Sequence, residues 1–415
     1  MAIIKPFAGI RPCRGKAAQI AALPYDVYNR QEAAELVGKN ALSFLAVDRA
    51  ETQFPDSVGM YEDVVYQRAH DTLRKMVEDG SFIREDKPCF YLYELTMNGR
   101  TQTGIAACAA IDDYLDNTIK KHENTRAEKE QDRIRHVDAC SAQTGPIFLA
   151  YRADAVLKRL VEQEKRREPE YDFTSEDGIR HRVFVIRDEA VTDRISEAFA
   201  GIDSLYIADG HHRAASAVKV GQMRRSAHPA YTGEEEFNYF LSVLFPDDEL
   251  FIMDYNRVIR DLNGRSPSDF LREAAERFDV TEIRENQEKR PAERGTFSMY
   301  LDGRWYCCRI RETDRKTGNP VADLDVSVLQ DKLLAPVLGI REPKTDRRID
   351  FVGGIRGIKE LERRCKKDCA AAFAMYPTDI RDLFAVADAG LLMPPKSTWF
   401  EPKLRSGLFI HAIER

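Results

Sequence analysis

Asp209, Gly210, His211, His212 and Arg213 stand consecutively between an apolar run, Leu205–Ala208, and a run of small residues, Ala214–Ala217. The apolar run reads as a buried strand, Asp209–Gly210 as a sharp turn, and the small residues as a helix that starts immediately after it. A helix start leaves backbone N–H groups without partners and carries the positive end of the helix dipole, so it favours an anion. Gly210 permits a positive φ, and Arg213 supplies a forked donor suited to phosphate or carboxylate. An imidazole can hydrogen-bond a phosphate oxygen or carry a proton near neutral pH. A capped surface helix would need only Asp209 at this corner. Four polar residues together point to an anion grip, with Gly210, His211, His212 and Arg213 as its ligands and Asp209, His211 and His212 as catalytic candidates.

Three further stretches carry chemistry. Lys120–Arg126, KKHENTR, places His122 beside Glu123, a pairing that serves metal binding or proton transfer. No second ligand follows at helical spacing, so the zinc-protease pattern is absent. Thr125, Arg126, Asp132 and Arg133 are further candidates, whereas Glu128–Gln131 reads as a solvated helix face. Asp26, in LPYDVY, is a candidate catalytic carboxylate, with turn capping as the plainer alternative. Met393–Gly407, MPPKSTWFEPKLRSG, sets Lys396, Ser397, Thr398, Lys403 and Arg405 around Trp399 and Phe400. Such a loop can close over a phosphate or nucleotide, or simply dock two domains together. The chain has no Walker A loop, no GxGxxG after a strand, no nucleophile elbow and no CxxC. VGGIRG, from Val352 to Gly357, matches a phosphate loop only loosely.

The elements that must position these residues alternate in type. Met60–Asp79 has apolar residues at helical spacing, and Cys89–Ile111 reads as a hairpin turning at Asn98–Gly99. GPIFLAY and HRVFVI read as buried strands, and FNYFLSVLFP and LFIMDYNRVI as a strand pair. Glu162–Glu170 reads as a charged surface excursion, and Asp188–Ile202 as an amphipathic helix. Beyond residue 262 the pattern changes: a helix capped by Ser266 or Ser268, a hairpin turning at Asp302–Gly303, then helices and a strand. This implies a mixed α/β fold with a first domain over 1–262 and a C-terminal α+β domain over 263–415. The 415 residues carry a net charge of −6, which argues against nucleic acid or a membrane surface as partner. No apolar run reaches the length of a membrane span, the N-terminus lacks the apolar stretch of a signal peptide, and the eight scattered cysteines read as reduced thiols. The expectation is a cytoplasmic protein.

The combination LPYDV, KKHENT followed by DR, TGPIF, YIADGHHRAASA and MPPKSTWFEPKLRSGL resembles, over essentially the whole chain, a widespread bacterial and archaeal family of unknown function. Some members of that family carry a serine-kinase-like label. IADGHHRAASA alone is similar to the phosphate-binding corner of the ParB/sulfiredoxin superfamily, which includes the free serine kinase that uses ADP as phosphoryl donor. This resemblance implies a ParB/sulfiredoxin-like nucleotide-binding core with insertions. It marks Gly210, His211, His212 and Arg213 as phosphate-binding, and Asp209 as an acidic residue in a metal or base role. Asp26 and Glu123 are both candidates for the kinase's substrate-side glutamate. The implied activity is a nucleotide-dependent phosphotransferase acting on a small hydroxylated metabolite, free L-serine first. Magnesium would be shared between ADP or ATP and Asp209 or Glu123, and Lys396 and Arg405, with Ser397 and Thr398, would meet further phosphate charge. Two other readings stand beside it: a nucleotide-binding regulatory module with slow hydrolysis, and a metal-dependent phosphohydrolase using His122, Glu123, Asp209 and His211.

Overall fold

Phe90–Met97 (β1) shows why the first sheet forms. Its residues alternate between two cores: Phe90 and Leu92 enter the main one. Tyr91 and Tyr93 face the other way, Tyr91 against Phe7 with ring centroids 5.1 Å apart and Tyr93 against Phe409 at 5.5 Å. Such alternation suits a strand buried on both faces. Asn98 (φ 52°) and Gly99 (φ 79°) close the expected hairpin onto Arg100–Ala110 (β2), both in the left-handed region that a tight two-residue turn demands.

The computed structural model describes residues 1–125, 127–315 and 317–414. It forms two compact units, Met1–Leu250 joined by the segment from Pro402 onwards, and Phe251–Glu401. In the first unit the remaining strands along the main sheet are Ile119–Lys120 (β3), Ile147–Tyr151 (β4), Tyr171–Thr174 (β5), Arg180–Ile186 (β6), Leu205–Asp209 (β7) and Tyr239–Pro246 (β8). They run in the order β3-β7-β4-β8-β2-β1-β6-β5, and Ile4–Lys5 adds to β2. β7 lies parallel to β3 and antiparallel to β4, while β4 lies parallel to β8.

The helices are Arg30–Lys39 (α1), Asp63–Glu78 (α2), Ala127–Cys140 (α3), Ala155–Glu164 (α4), Glu189–Ala200 (α5) and His211–Ala227 (α6). Leu157 and Leu160 of α4, Ile195 and Phe199 of α5, and Ala214, Ala217 and Val218 of α6 bury against Leu149, Leu205 and Ile207. Each large apolar side chain so buried contributes about 2 kcal/mol. A separate core forms from the N-terminal segment: Phe44, Val47, Val65, Ala69, Leu73 and Phe82, with Cys140 of α3 and Ile410 of the C-terminal segment. Glu162–Glu170 is not wholly a surface excursion, because α4 runs to Glu164 and the Glu164 side chain is buried.

The second unit holds a six-stranded antiparallel sheet. Its order is Asp279–Ile283, Arg304–Arg309, Thr296–Leu301, Ala371–Met375, Tyr255–Ile259, Ile349–Gly353. Ser266 caps the helix Pro267–Arg277 by accepting a bond from Asp269 N at 3.1 Å. The hairpin turn at Asp302–Gly303 forms as expected. Two sequence expectations are corrected here. β8 does not pair with Leu250–Ile259: β8 bonds to β2 and β4, whereas Tyr255–Ile259 bonds within the second sheet. The division therefore falls at 250/251 rather than 262, and the chain re-enters the first unit at 402. The mixed α/β class is the class observed. All eight cysteines are free, and no helix among the described residues is long and apolar enough to cross a membrane.

Candidate functional site

β7 delivers Asp209 to the corner with a change of aim. Its register against β4 slips between Ile207 and Asp209, an irregularity that redirects the side chain at the strand end. Gly210 follows at φ 92°, ψ 32°, and α6 begins at His211. A Cβ on Gly210 would lie 3.0 Å from Arg213 Nε, so both backbone and neighbour require glycine. No side chain caps α6, and Ala214 N is the first to bond back along the helix, to Gly210 O at 3.0 Å. The positive end of the helix dipole therefore faces this corner.

Arg213 turns back over the corner. Its Nη2 lies 3.2 Å from Asp209 Oδ2, and its Nη1 donates to Pro146 O. Lys403 Nζ, from the C-terminal segment, lies 3.4 Å from Asp209 Oδ1. Burial opposes the charge on Asp209, but Lys403 and Arg213 outweigh it and hold the carboxyl below the usual range. Gly145 sits under Arg213 and Ser406, where a Cβ would come within 3.1 Å of Ser406 Oγ.

His211 and His122 meet edge to face, their ring centroids 4.5 Å apart. Both are buried, with 7% and 2% exposure. Burial brings His122 down to about 4 against a bond to the Ile207 backbone, and burial with His122 alongside takes His211 well below its ordinary value. Both rings are neutral at pH 7. Among the described residues, His122 Nδ1 and His211 Nε2 have no hydrogen-bond partner. A buried polar atom left unpaired costs about 1–3 kcal/mol, so two at one helix start mark a place where a ligand or water belongs.

Two adjoining cavities share Tyr25, Asp48, Arg133 and His136 as walls. The first, about 30 Å³, reaches Gly145, Arg213 and Ser406. The second, about 160 Å³, is bounded by Asp26, Tyr28, Arg49, Tyr61 and Asp132. The distant motifs are tied together here by hydrogen bonds. Ser406 exchanges backbone bonds with Ala22, just before LPYDV, at 2.8 and 3.2 Å. Thr144 Oγ1 donates to Asp48 Oδ1 at 2.8 Å. Arg133 is buried, pairs with Asp132, and stacks on Tyr25 at 4.1 Å.

The sequence candidates divide accordingly. Asp209, Gly210, His211, Arg213 and His122 come together; His212 is the next residue of α6, its carbonyl accepting from Ser216 Oγ at 2.7 Å. Asp26, Asp132 and Arg133 line the second cavity. Glu123 is half-buried on the loop before α3, and Thr125 Oγ1 donates to Glu130 Oε2 at 2.7 Å. Arg126 lies outside the described residues. Lys396, Ser397 and Thr398 belong to the second unit, where Ser397 Oγ donates to Pro394 O at 2.7 Å. Arg405, expected at phosphate, is instead buried against Asp177, with Ser175 Oγ at 3.1 Å and His181 Nε2 at 3.4 Å. Lys403 is the C-terminal cation that reaches Asp209. Asp48, His136 and Ser406 are cavity residues the sequence reading passed over. The one signal for Asp48 was an acid inside the apolar run SFLAVDRA.

The expected magnesium would be shared with nucleotide phosphates rather than held by the chain alone. No three His, Cys, Asp or Glu side chains among the described residues come together to hold an ion, and both oxygens of Asp209 already face cations. Magnesium, where used, would arrive with the nucleotide as part of the substrate.

The profile of a family described as a protein of unknown function, DUF1015, matches residues 4–327. The chain belongs to this family. The match takes in all the residues of the corner except Lys403 and the C-terminal segment. No curated protein matches this DUF1015 chain in sequence. Among solved structures it is similar to a free serine kinase variant in complex with AMP, at 16% identity and TM-score 0.37 over 74% of this chain and 92% of that one. It is also similar to a conserved hypothetical protein from Pyrococcus furiosus, at 15% identity and TM-score 0.35, over 74% and 94% of the two chains. C-terminally truncated SbnI from Staphylococcus aureus gives 11% identity and TM-score 0.36, over 71% and 82%.

Proposed function

We propose that this DUF1015 protein is a nucleotide-dependent phosphotransferase for a small hydroxylated metabolite, free L-serine being the first candidate. The observation that carries the reading is the pair of unpartnered, buried imidazole nitrogens at an uncapped helix start, with Arg213 beside them. Phosphate oxygens would satisfy the imidazoles and the α6 N–H groups at once. In the proposed reaction the terminal phosphate of ADP or ATP sits at Gly210–Arg213. The acceptor hydroxyl, entering through the second cavity, attacks phosphorus, and the bond from phosphorus to the bridging oxygen breaks to release AMP or ADP. The hydroxyl proton passes to Asp26, which lines that cavity. The work of the protein is mostly positioning and charge stabilisation, as phosphoryl transfer requires. Magnesium arriving with the nucleotide supplies charge neutralisation.

The test combines binding and turnover. Titration calorimetry with ADP and ATP should detect binding that Arg213→Ala weakens roughly ten- to a hundredfold, the loss of a charged hydrogen-bond set. Incubation with nucleotide, magnesium and serine or another small alcohol should yield the phosphorylated alcohol. Unchanged nucleotide affinity in Arg213→Ala would overturn the phosphate site. Binding without any phosphorylated product would leave a nucleotide-binding module in place of a kinase.

A further inference from the structure

We infer that the second cavity selects a hydroxylated amino acid with an apolar body larger than serine, an inference that rests on the phosphotransferase reading. The charges of the cavity separate into those already paired and those left open. Arg49 is held by Glu51 at 2.5 Å and Arg133 by Asp132 at 2.8 Å, while Asp48 accepts from Thr144. Asp26 and Lys129 line the same space, and among the described residues neither meets a hydrogen-bond or ion-pair partner. One open carboxylate and one open ammonium suit the two ends of an amino-acid zwitterion.

The apolar walls carry the size argument. Arg133 and Arg135 already cover the Tyr25 and Tyr66 rings, leaving Tyr28, Met60 and Tyr61 facing the cavity. Met60 and Tyr61 are 36% and 41% exposed. Single exposed apolar residues need no explanation, but Met60 and Tyr61, both exposed and both walls of one cavity beside Tyr28, mark a ligand surface. A three-carbon amino acid has nothing to lay against them. The cavity, about 160 Å³, is of the size that holds a single aromatic ring.

The full-length protein would be titrated with serine, with β-phenylserine, which adds one ring, and with β-hydroxy-β-phenylpropanoate, which lacks the amine. β-Phenylserine should bind roughly tenfold more tightly than serine through its buried ring. The amine-free compound should lose that affinity, as should β-phenylserine on Asp26→Asn. Met60→Ser combined with Tyr61→Ser should weaken β-phenylserine roughly tenfold more than serine. Equal or tighter binding of serine, no binding of β-phenylserine, or a gain that survives the double substitution would overturn the inference. Phosphorylation of serine alone would overturn it while leaving the phosphotransferase reading intact. Tight β-phenylserine binding without transfer would uphold the pocket's selectivity and count against the transfer reading.

Discussion

At the scale of single residues, Gly210 and Arg213 depend on each other. Gly210→Ala would force a side chain into φ 92° and within 3.0 Å of Arg213 Nε. The strain costs about 1–2 kcal/mol, and the displaced guanidinium loses its hold on Asp209 and Pro146. The expected outcome is a modest drop in the urea midpoint together with a larger loss of nucleotide affinity; calorimetry beside an unfolding curve separates the two. The sequence disclosed this pair because a turn glycine and a helix start have local signatures. It did not distinguish Arg405 from Lys403. Both are cations two residues apart in the same segment, yet one is buried on Asp177 and the other reaches Asp209. Only the fold over that segment separates them. The phosphohydrolase reading already set His122 beside His211, but their edge-to-face contact comes from the pairing of β3 with β7, which no local signal encodes.

At the scale of elements, α3 carries two opposite faces. Glu128 and Lys129 are exposed, as a solvated charged helix predicts, whereas Arg133, Ile134 and His136 are buried. The inward charges are matched: Tyr66 OH of α2 donates to Asp132 Oδ1 at 2.9 Å, and Arg133 Nε donates to Asp132 Oδ2 at 2.9 Å. Arg133→Ala removes one member of a buried pair and the stack on Tyr25, so it should cost about 3 kcal/mol. Tyr66→Phe removes one neutral donor and should cost about 1 kcal/mol. Urea unfolding of both variants checks the ratio; equal small losses would mean that the pair is effectively solvated. Charge density alone hid this face, since a helix of mixed sign reads as surface until its buried neighbours are known. Strand pairing was hidden for a related reason. The hairpins at Asn98–Gly99 and Asp302–Gly303 are local, but β8 joins β2 and β4 across more than eighty residues, and no short-range signal encodes that.

At the scale of the whole molecule, two predictions follow from how charge and chain are distributed. Five of the eight histidines, His122, His136, His181, His211 and His411, are buried and shifted downward chiefly by burial. Below about 6.5 the unfolded chain binds protons on these rings that the folded chain refuses until much lower pH. Stability should therefore fall as pH drops from about 6.5 to about 4, with His122 alone accounting for a loss on the order of 3 kcal/mol. Asp209, shifted downward, keeps its contribution through this window and loses it only at lower pH. Thermal melts of the native protein and of His122→Phe between pH 7 and 4 check the sign, the variant showing the shallower acid limb. The chain path gives the second prediction. Phe251–Glu401 leaves and re-enters at neighbouring points, with Glu401 N donating to Phe251 O at 3.2 Å and Ile252–Met253 pairing antiparallel with Trp399–Phe400. A unit closed at its neck and built on its own six-stranded sheet should fold when excised. Joining Leu250 to Pro402 through a short glycine linker should leave the first unit folded too. The sequence showed a change of pattern near 262 but not this insertion, because a chain that returns to its first core leaves no compositional mark where it does so. The trimmed protein also decides the place of Lys396, Ser397 and Thr398. Nucleotide affinity equal to that of the full chain would confine the phosphate grip to Gly210–Arg213 and Lys403, whereas a tenfold or greater loss in a protein that still melts cooperatively would assign the second unit's loop a share of the phosphate.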